Sequence, residues 1–178
     1  MSQIKLWRFA GTFAIISLGF LLHYLYLWSG SSKIVGSFVP VNESVWEHLK
    51  LGYWSIALFS IVEFFHLNNS VNNYYFAKFN GFIILEMTIL VIYYSYTFIV
   101  GRNILFMDIF SFIVGVVLCQ YLTYSLFKLK PLSMLLNRAS LVAFMAIGIL
   151  FGVITYYTPH AAIFMDKRTK TYGMNKEI

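Results

Sequence analysis

Five long apolar stretches, separated by short polar segments containing glycine, proline or asparagine, dominate the hydropathy pattern of this chain. Trp7 and Trp28 bracket the first, FAGTFAIISLGFLLHYLYL. At 1.5 Å per residue they stand roughly 30 Å apart, the thickness of a bilayer's hydrocarbon layer. Lys5 and Arg8 precede that run as they would in a signal peptide. The run is longer than a signal-peptide core, however, and no small-x-small cleavage site follows, so a retained anchor is expected.

After SGSSKIVGSFVP, the string Ser44-Val45-Trp46-Glu47 has the form of a capping box and predicts a second helix over 45–67, ended by LNNSVNN. Further spans are predicted over 82–100, 104–127 and 139–157, with Gly101-Arg102-Asn103 as a tight link between the third and fourth. The expected fold is all-α: one polytopic transmembrane bundle of about five spans (7–28, 45–67, 82–100, 104–127 and 139–157), with a polar tail over 158–178.

Composition agrees with a lipid environment: 60% of residues are hydrophobic and 11% charged, with a mean hydropathy of +0.73. The formal charge of +6 is spread over span ends rather than gathered on one face, which speaks against a nucleic-acid partner and for topology signals. Lys5, Arg8, Lys78, Lys128, Lys130 and Arg138 fall on one side, against Lys33, Lys50 and Arg102 on the other. This predicts a multi-pass protein of a cell membrane with a cytoplasmic amino terminus, although the basic tail counts the other way. The single Cys119 permits no intramolecular disulfide. The bias toward Ile, Asn, Lys, Tyr and Phe hints at an AT-rich bacterial genome.

Ionisable side chains within a bilayer are costly and tend to face the bundle interior. At 100° per residue, His48, Gly52, Ser55, Phe59 and His66 share one face of the second helix. Thr12, Gly19 and His23 share a face of the first, Glu86, Tyr93 and Thr97 of the third, and Asp108, Gly115 and Cys119 of the fourth. His23, His48 and Asp108 each lie about one turn below the same surface, with Glu43 and Glu47 at the mouth and His160 just beyond the fifth span. An outer polar cluster of His23, Glu43, Glu47, His48, Asp108 and His160 is expected. A smaller inner group contains Glu63, His66 and Glu86, with Lys78 on the loop beside it.

Such a cluster suits a divalent metal ion, with His23, His48, Asp108 and His160 as candidate ligands, a small cation, or a polar head group. The primary expectation is therefore binding or transport at a pocket contacted by His23, Glu43, Glu47, His48 and Asp108. A membrane-embedded, metal-dependent hydrolase acting on lipid or lipid-linked substrates, with Glu47 as catalytic general base, is the alternative. A third is a structural or assembly subunit whose polar residues only fix helix register. Besides the lipid bilayer, a homo-oligomer or a membrane partner subunit is an expected association. The plainer reading has Glu47 capping its helix, Glu43 and Lys50 solvated, and the histidines hydrogen-bonded within the bundle. No H-E-x-x-H, C-x-x-C or G-x-S-x-G element occurs, and the single Glu63-Phe64-Phe65-His66 is half of what a di-iron bundle needs. Gly148-x-x-x-Gly152 reads as helix packing. The tail is either plain polar chain or a lid held over the outer mouth by Phe164 and Tyr172.

The strings Asn42-Glu43-Ser44-x-Trp46-Glu47-His48-Leu49-Lys50 and Phe164-x-Asp166-x-x-Thr169-x-x-Tyr172-Gly173 resemble those of an uncharacterised family of small multi-span proteins of clostridia and bacilli. The resemblance extends over nearly the whole chain and implies an architecture and a bacterial membrane, without a chemistry. It adds weight to Glu43, Glu47, His48 and Asp166. The Pro159–Ile163 segment is less proline-rich than that family's pattern, which weakens the case for His160.

Overall fold

The computed structural model describes residues 3–174, and among these all regular structure is helical apart from one isolated antiparallel bridge, Met165 to Tyr172. The helices are α1 (Gln3–Trp28), a short α2 (Lys33–Gly36), α3 (Val45–Leu67), α4 (Tyr74–Val100), α5 (Leu105–Leu126) and α6 (Met134–Tyr156), followed by a 3₁₀ turn at Ala162–Phe164. By length and apolar composition α1, α4, α5 and α6 are able to cross a membrane. The expected fifth span, α3, is as long but carries Glu47, Lys50 and Glu63. It nonetheless lies antiparallel along the length of α1. The His23 and His48 rings meet at one end, with centroids 5.5 Å apart, and the Trp7 and His66 rings at the other, 4.7 Å apart.

The remaining helices continue the up-and-down order. Tyr96 of α4 reaches Asp108 of α5 just across the Gly101 turn, while Gly81 of α4 lies against Cys119 and Thr123 near the opposite end. Tyr53 of α3 donates to Phe144 O of α6 (2.9 Å), and Thr155 Oγ1 of α6 donates to Glu47 Oε1 (3.2 Å). The upper end of the bundle thus holds the end of α1, the start of α3, the α4–α5 turn and the tail. The lower end holds both chain entries, into α1 and α6, and the α3–α4 loop.

α1, α4 and α6 begin earlier than the sequence suggested, the last two for identifiable reasons. Asn73, at φ 56°, starts α4, and its side chain clasps the α5–α6 loop by donating to Lys130 O (3.1 Å) and accepting from Leu132 N (2.7 Å). Lys78 is therefore not a loop residue. It is buried on α4 in an ion pair with Glu63, and Tyr74 Oη donates to the same carboxylate at 3.1 Å. Ser133 starts α6 by accepting from Leu136 N (3.2 Å), which puts Arg138 inside the helix. At the other end of α4, Gly101 adopts φ 76° and donates to Thr97 O (2.9 Å), the left-handed cap that lets the chain reverse into α5.

Helix association in lipid rests on close packing rather than on a hydrophobic drive. Tyr53 is the clearest case: its ring lies 4.6 Å from that of Phe144 and 5.4 Å from that of Phe82. Gly148 leaves room for it, since a methyl there would approach Cε1 to 2.8 Å. Gly152, by contrast, faces only Ser37, at 3.6 Å, so one of the two glycines of the GxxxG string makes the close approach.

Candidate functional site

Ser44 caps α3 as the sequence predicts, its Oγ accepting from Glu47 N (3.3 Å). The reciprocal half of the capping box is absent. Ser44 N donates instead to Asn42 Oδ1 (2.9 Å), and Glu47 turns inward to an ion pair with Lys50 at 2.7 Å, accepting also from Val41 N (3.1 Å) and Thr155. Lys50 completes its bonding on Gly36 O (2.8 Å) and Val39 O (3.1 Å), tying the α2 loop to α3. Glu47 therefore lies outside the polar cluster expected at the mouth, committed to Lys50, and Lys50 is wholly buried rather than solvated.

Three residues do converge at the upper end. Glu43 sends Oε2 to 3.3 Å from His48 Nε2 and Oε1 to 3.9 Å from His23 Nε2, and one donor atom from each of the three lies within 4.8 Å of the others. His48 Nδ1 lies 3.0 Å from Ser44 O. A carbonyl only accepts, so Nδ1 carries the hydrogen, and in the neutral ring Nε2 turns its lone pair toward Glu43. A lone pair facing a carboxylate needs a cation between them, either a proton on the imidazole or a metal ion. The His48 contact holds the Glu43 carboxyl below its ordinary value, against burial, which pushes it up.

Beneath these residues a cavity of about 210 Å³ reaches down between α1, α3, α4 and α5. Polar side chains of its lining include His23, Glu43, His48, Asn103, Asp108 and Ser111, and its walls are otherwise mostly apolar or aromatic, among them Phe20, Leu51, Ile89 and Phe112. Gly19 allows the Phe112 ring to close the floor, since a methyl there would fall 2.6 Å from Phe112 Cε1. Asp108 is half-buried and accepts from Tyr96 Oη, which itself accepts from Ile104 N (3.3 Å) at the start of α5. Sequence reasoning missed Tyr96. The tight Gly101 turn was the available signal, because it folds the last turn of α4 against the first turn of α5.

The tail covers part of this end. Phe164 packs on Trp46 (ring centroids 5.0 Å apart), Asn42 Nδ2 donates to Gly173 O (3.0 Å), and Glu43 N donates to Asp166 Oδ2 (3.3 Å). Gly173, at φ 55°, fits where a methyl would lie 2.5 Å from Thr155 O. Burial raises the Asp166 carboxyl, but donation from Arg168 N, Thr169 and Glu43 N outweighs it, and the net direction is downward. Of the two residues expected to anchor a lid, Phe164 docks on the bundle. Tyr172 instead stacks on His160, with centroids 4.6 Å apart, so His160 is exposed and sits outside the three-residue cluster.

The inner group divides. Glu63 is paired with Lys78, as described. His66 is exposed, its Nδ1 2.9 Å from Val62 O, although its ring packs on Trp7 of α1, the side on which its spacing put it. Glu86 is 7% exposed, and neither of its carboxylate oxygens has a hydrogen-bond partner.

Fold and site together define an all-helical integral membrane protein with an imidazole–carboxylate cluster over an intramembrane cavity. The chain belongs to the family of unknown function DUF6512, whose model matches residues 1–174. No curated protein and no solved structure matches it.

Proposed function

We propose that this protein binds a divalent metal ion through His23, Glu43 and His48 at the mouth of its cavity, in a bacterial cell membrane with the amino terminus cytoplasmic. The observation that carries the reading is the His48 tautomer: Nδ1–H is held by Ser44 O, which aims the Nε2 lone pair at Glu43 Oε2, 3.3 Å away. A backbone carbonyl behind a ligating imidazole is a common arrangement in metal sites. Two ligands on a tetrahedral zinc with bonds of 2.0–2.1 Å stand about 3.4 Å apart, close to that separation. Two imidazoles and one carboxylate leave a coordination position open for water or for a head group entering the cavity. Support for that orientation comes from the lower end, which carries Lys5, Arg8, Lys128, Lys130 and Arg138 against Lys33 and Arg102 in the upper loops, while Lys167, Arg168 and Lys170 of the docked tail count the other way. Lys50 and Lys78 drop out of that count, since each is buried in an ion pair.

Elemental analysis of the detergent-purified protein tests this, beside Glu43→Gln, His48→Ala and Asp108→Ala variants. A near-stoichiometric metal lost in Glu43→Gln and His48→Ala, and weakened or retained in Asp108→Ala, is the expected result. No metal in the wild type, and none taken up on equilibrium dialysis against zinc or manganese, would leave a protonated His48–Glu43 ion pair in its place and defeat the reading.

A second reading, a metal-dependent enzyme acting on a lipid or lipid-linked substrate, is favoured by one further observation. Phe20, Tyr24 and Leu105 line the cavity and are also 43%, 49% and 73% exposed on the outside of the bundle, so the wall between α1 and α5 faces hydrocarbon. A ligand whose tail lies in the bilayer could reach the cluster there. In that case Asp108, held by Tyr96, is the carboxylate placed to accept a proton from metal-bound water.

A further inference from the structure

Glu86 occupies the thirteenth position of the 27-residue α4, the middle of a bilayer-spanning helix. A carboxyl there is tolerated only with a strong partner or in a neutral form. It is 7% exposed, and both oxygens lack a hydrogen-bond partner. The surroundings offer no counter-charge. From α3, Gly52 lies directly against it, so close that an added methyl would collide with Oε1. α5 contributes the thiol of Cys119, a little over one turn lower, against Gly81. α1 has no ionisable side chain between Arg8 and His23, and α6 has none between Arg138 and Tyr156. On α3 the charges closest in sequence to Gly52, Glu47 and Lys50, are paired with each other, and so are Lys78 of α4, about 12 Å lower, and Glu63 of α3.

Above it the situation differs. Ile89 and Tyr93 line the cavity and follow Glu86 by three and seven residues, so Tyr93 lies on the same face and the Ile89 level is about 5 Å higher. On α3 the neighbour of Gly52, Leu51, is also a cavity wall residue. The unpartnered carboxyl thus sits about one helical turn below Ile89, the lowest α4 residue that lines the cavity, while on the lower side Lys78, Glu63 and Tyr74 form a buried group bonded to one another.

We propose that Glu86 is a proton-binding site in the middle of the membrane that exchanges protons with the upper cavity and not with the lower surface. The step is a simple one: a proton from cavity water joins a carboxylate oxygen to give the neutral acid, and returns by the same path. This site is separate from the His23–Glu43–His48 cluster, and either can fail without the other.

Infrared spectroscopy of the full-length protein in lipid tests the proposal. The wild type should show the carbonyl stretch of a neutral carboxylic acid at neutral pH, and Glu86→Gln, a neutral isostere expected to fold, should lack it. Transfer to heavy water should shift the band, and Leu51→Trp, which fills the cavity above the acid, should slow that shift several-fold. Peptide mapping after treatment with dicyclohexylcarbodiimide provides a second readout. That reagent adds a protonated carboxyl across its C=N bond to leave a stable N-acylurea, so the adduct should fall on Glu86 and be absent from Glu86→Gln. An acid band unchanged in Glu86→Gln, or the absence of one from the wild type, would overturn the assignment. An exchange rate unaffected by Leu51→Trp would overturn the route.

Discussion

Lys50 Nζ lies 2.7 Å from Glu47 Oε2 one turn away on α3, with Lys50 at 0% and Glu47 at 2% exposure. A pair so enclosed is stabilising only as a pair. Removing one partner leaves the other charge without compensation, and in buried pairs this costs about 3–5 kcal/mol. Lys50→Met and Glu47→Gln should therefore each lower the melting temperature in detergent sharply. The double variant should recover much of the loss, because both charges are then gone. Lys50→Met carries an added penalty: it frees Gly36 O and Val39 O, so the α2 loop should become sensitive to protease.

That pair also marks how far the sequence could be read. The apolar runs were enough to locate all five long helices, because a bilayer requires about 20 apolar residues whatever packs beside them. Counting residues below the surface was enough to bring His23, His48 and Asp108 to one level, and the structure sets all three on one cavity. What could not be read was which charges are cancelled by a partner distant in sequence. Lys78 looks like a loop residue until Glu63 is known to lie against it, and α4 is therefore longer than its hydropathy suggests. Glu47 looks like a mouth residue because a capping box predicts that its side chain turns back toward Ser44 N. That donor goes to Asn42, and Glu47 is free to pair inside.

The tail should release when Asp166 loses its charge. Its folded carboxyl titrates below the ordinary value of 3.8, so its contribution to docking is complete above that value. It is lost only as pH falls through the lower, folded pKa. Asp166→Ala removes the acceptor for Glu43 N, Arg168 N and Thr169 N at any pH. Trypsin should then cut after Lys167 and Arg168 much faster than in the wild type at neutral pH. The wild type itself should become comparably sensitive only when brought below about pH 4 and probed with an acid-active protease.

Tyr96 joins α4 to α5 with a single hydroxyl, donating to Asp108 and accepting from Ile104 N. Tyr96→Phe leaves the ring in place and removes both bonds. It should destabilise by about 1–3 kcal/mol, the range for leaving a buried polar partner unmet. It should also free Asp108 to turn within the cavity. If Asp108 assists at the metal site, the variant should change zinc affinity measured by competition with a chelator. If affinity stays the same while the melting temperature falls, Tyr96 and Asp108 form a helix clasp only.

Gly52→Ala tests whether α3 and α4 approach as closely as the structure describes. The added methyl would collide with Glu86 Oε1 and lie 2.5 Å from Leu85 Cδ2. Leu85 is fully buried in the core cluster that also holds Tyr53, Ile56 and Val116, and its backbone faces Gly115 of α5, so it has little room to retreat. The two helices must then separate by several tenths of an ångström or Glu86 must rotate away. Either response loses packing, and overpacking of this kind costs about 1–3 kcal/mol. Combining Gly52→Ala with Glu86→Ala removes the Glu86 collision and leaves only the one with Leu85. The double variant should be more stable than Gly52→Ala alone, even though Glu86→Ala deletes a large buried side chain. Thermal unfolding of the four proteins in one detergent measures the coupling, and additive losses would mean that the carboxyl does not touch Gly52.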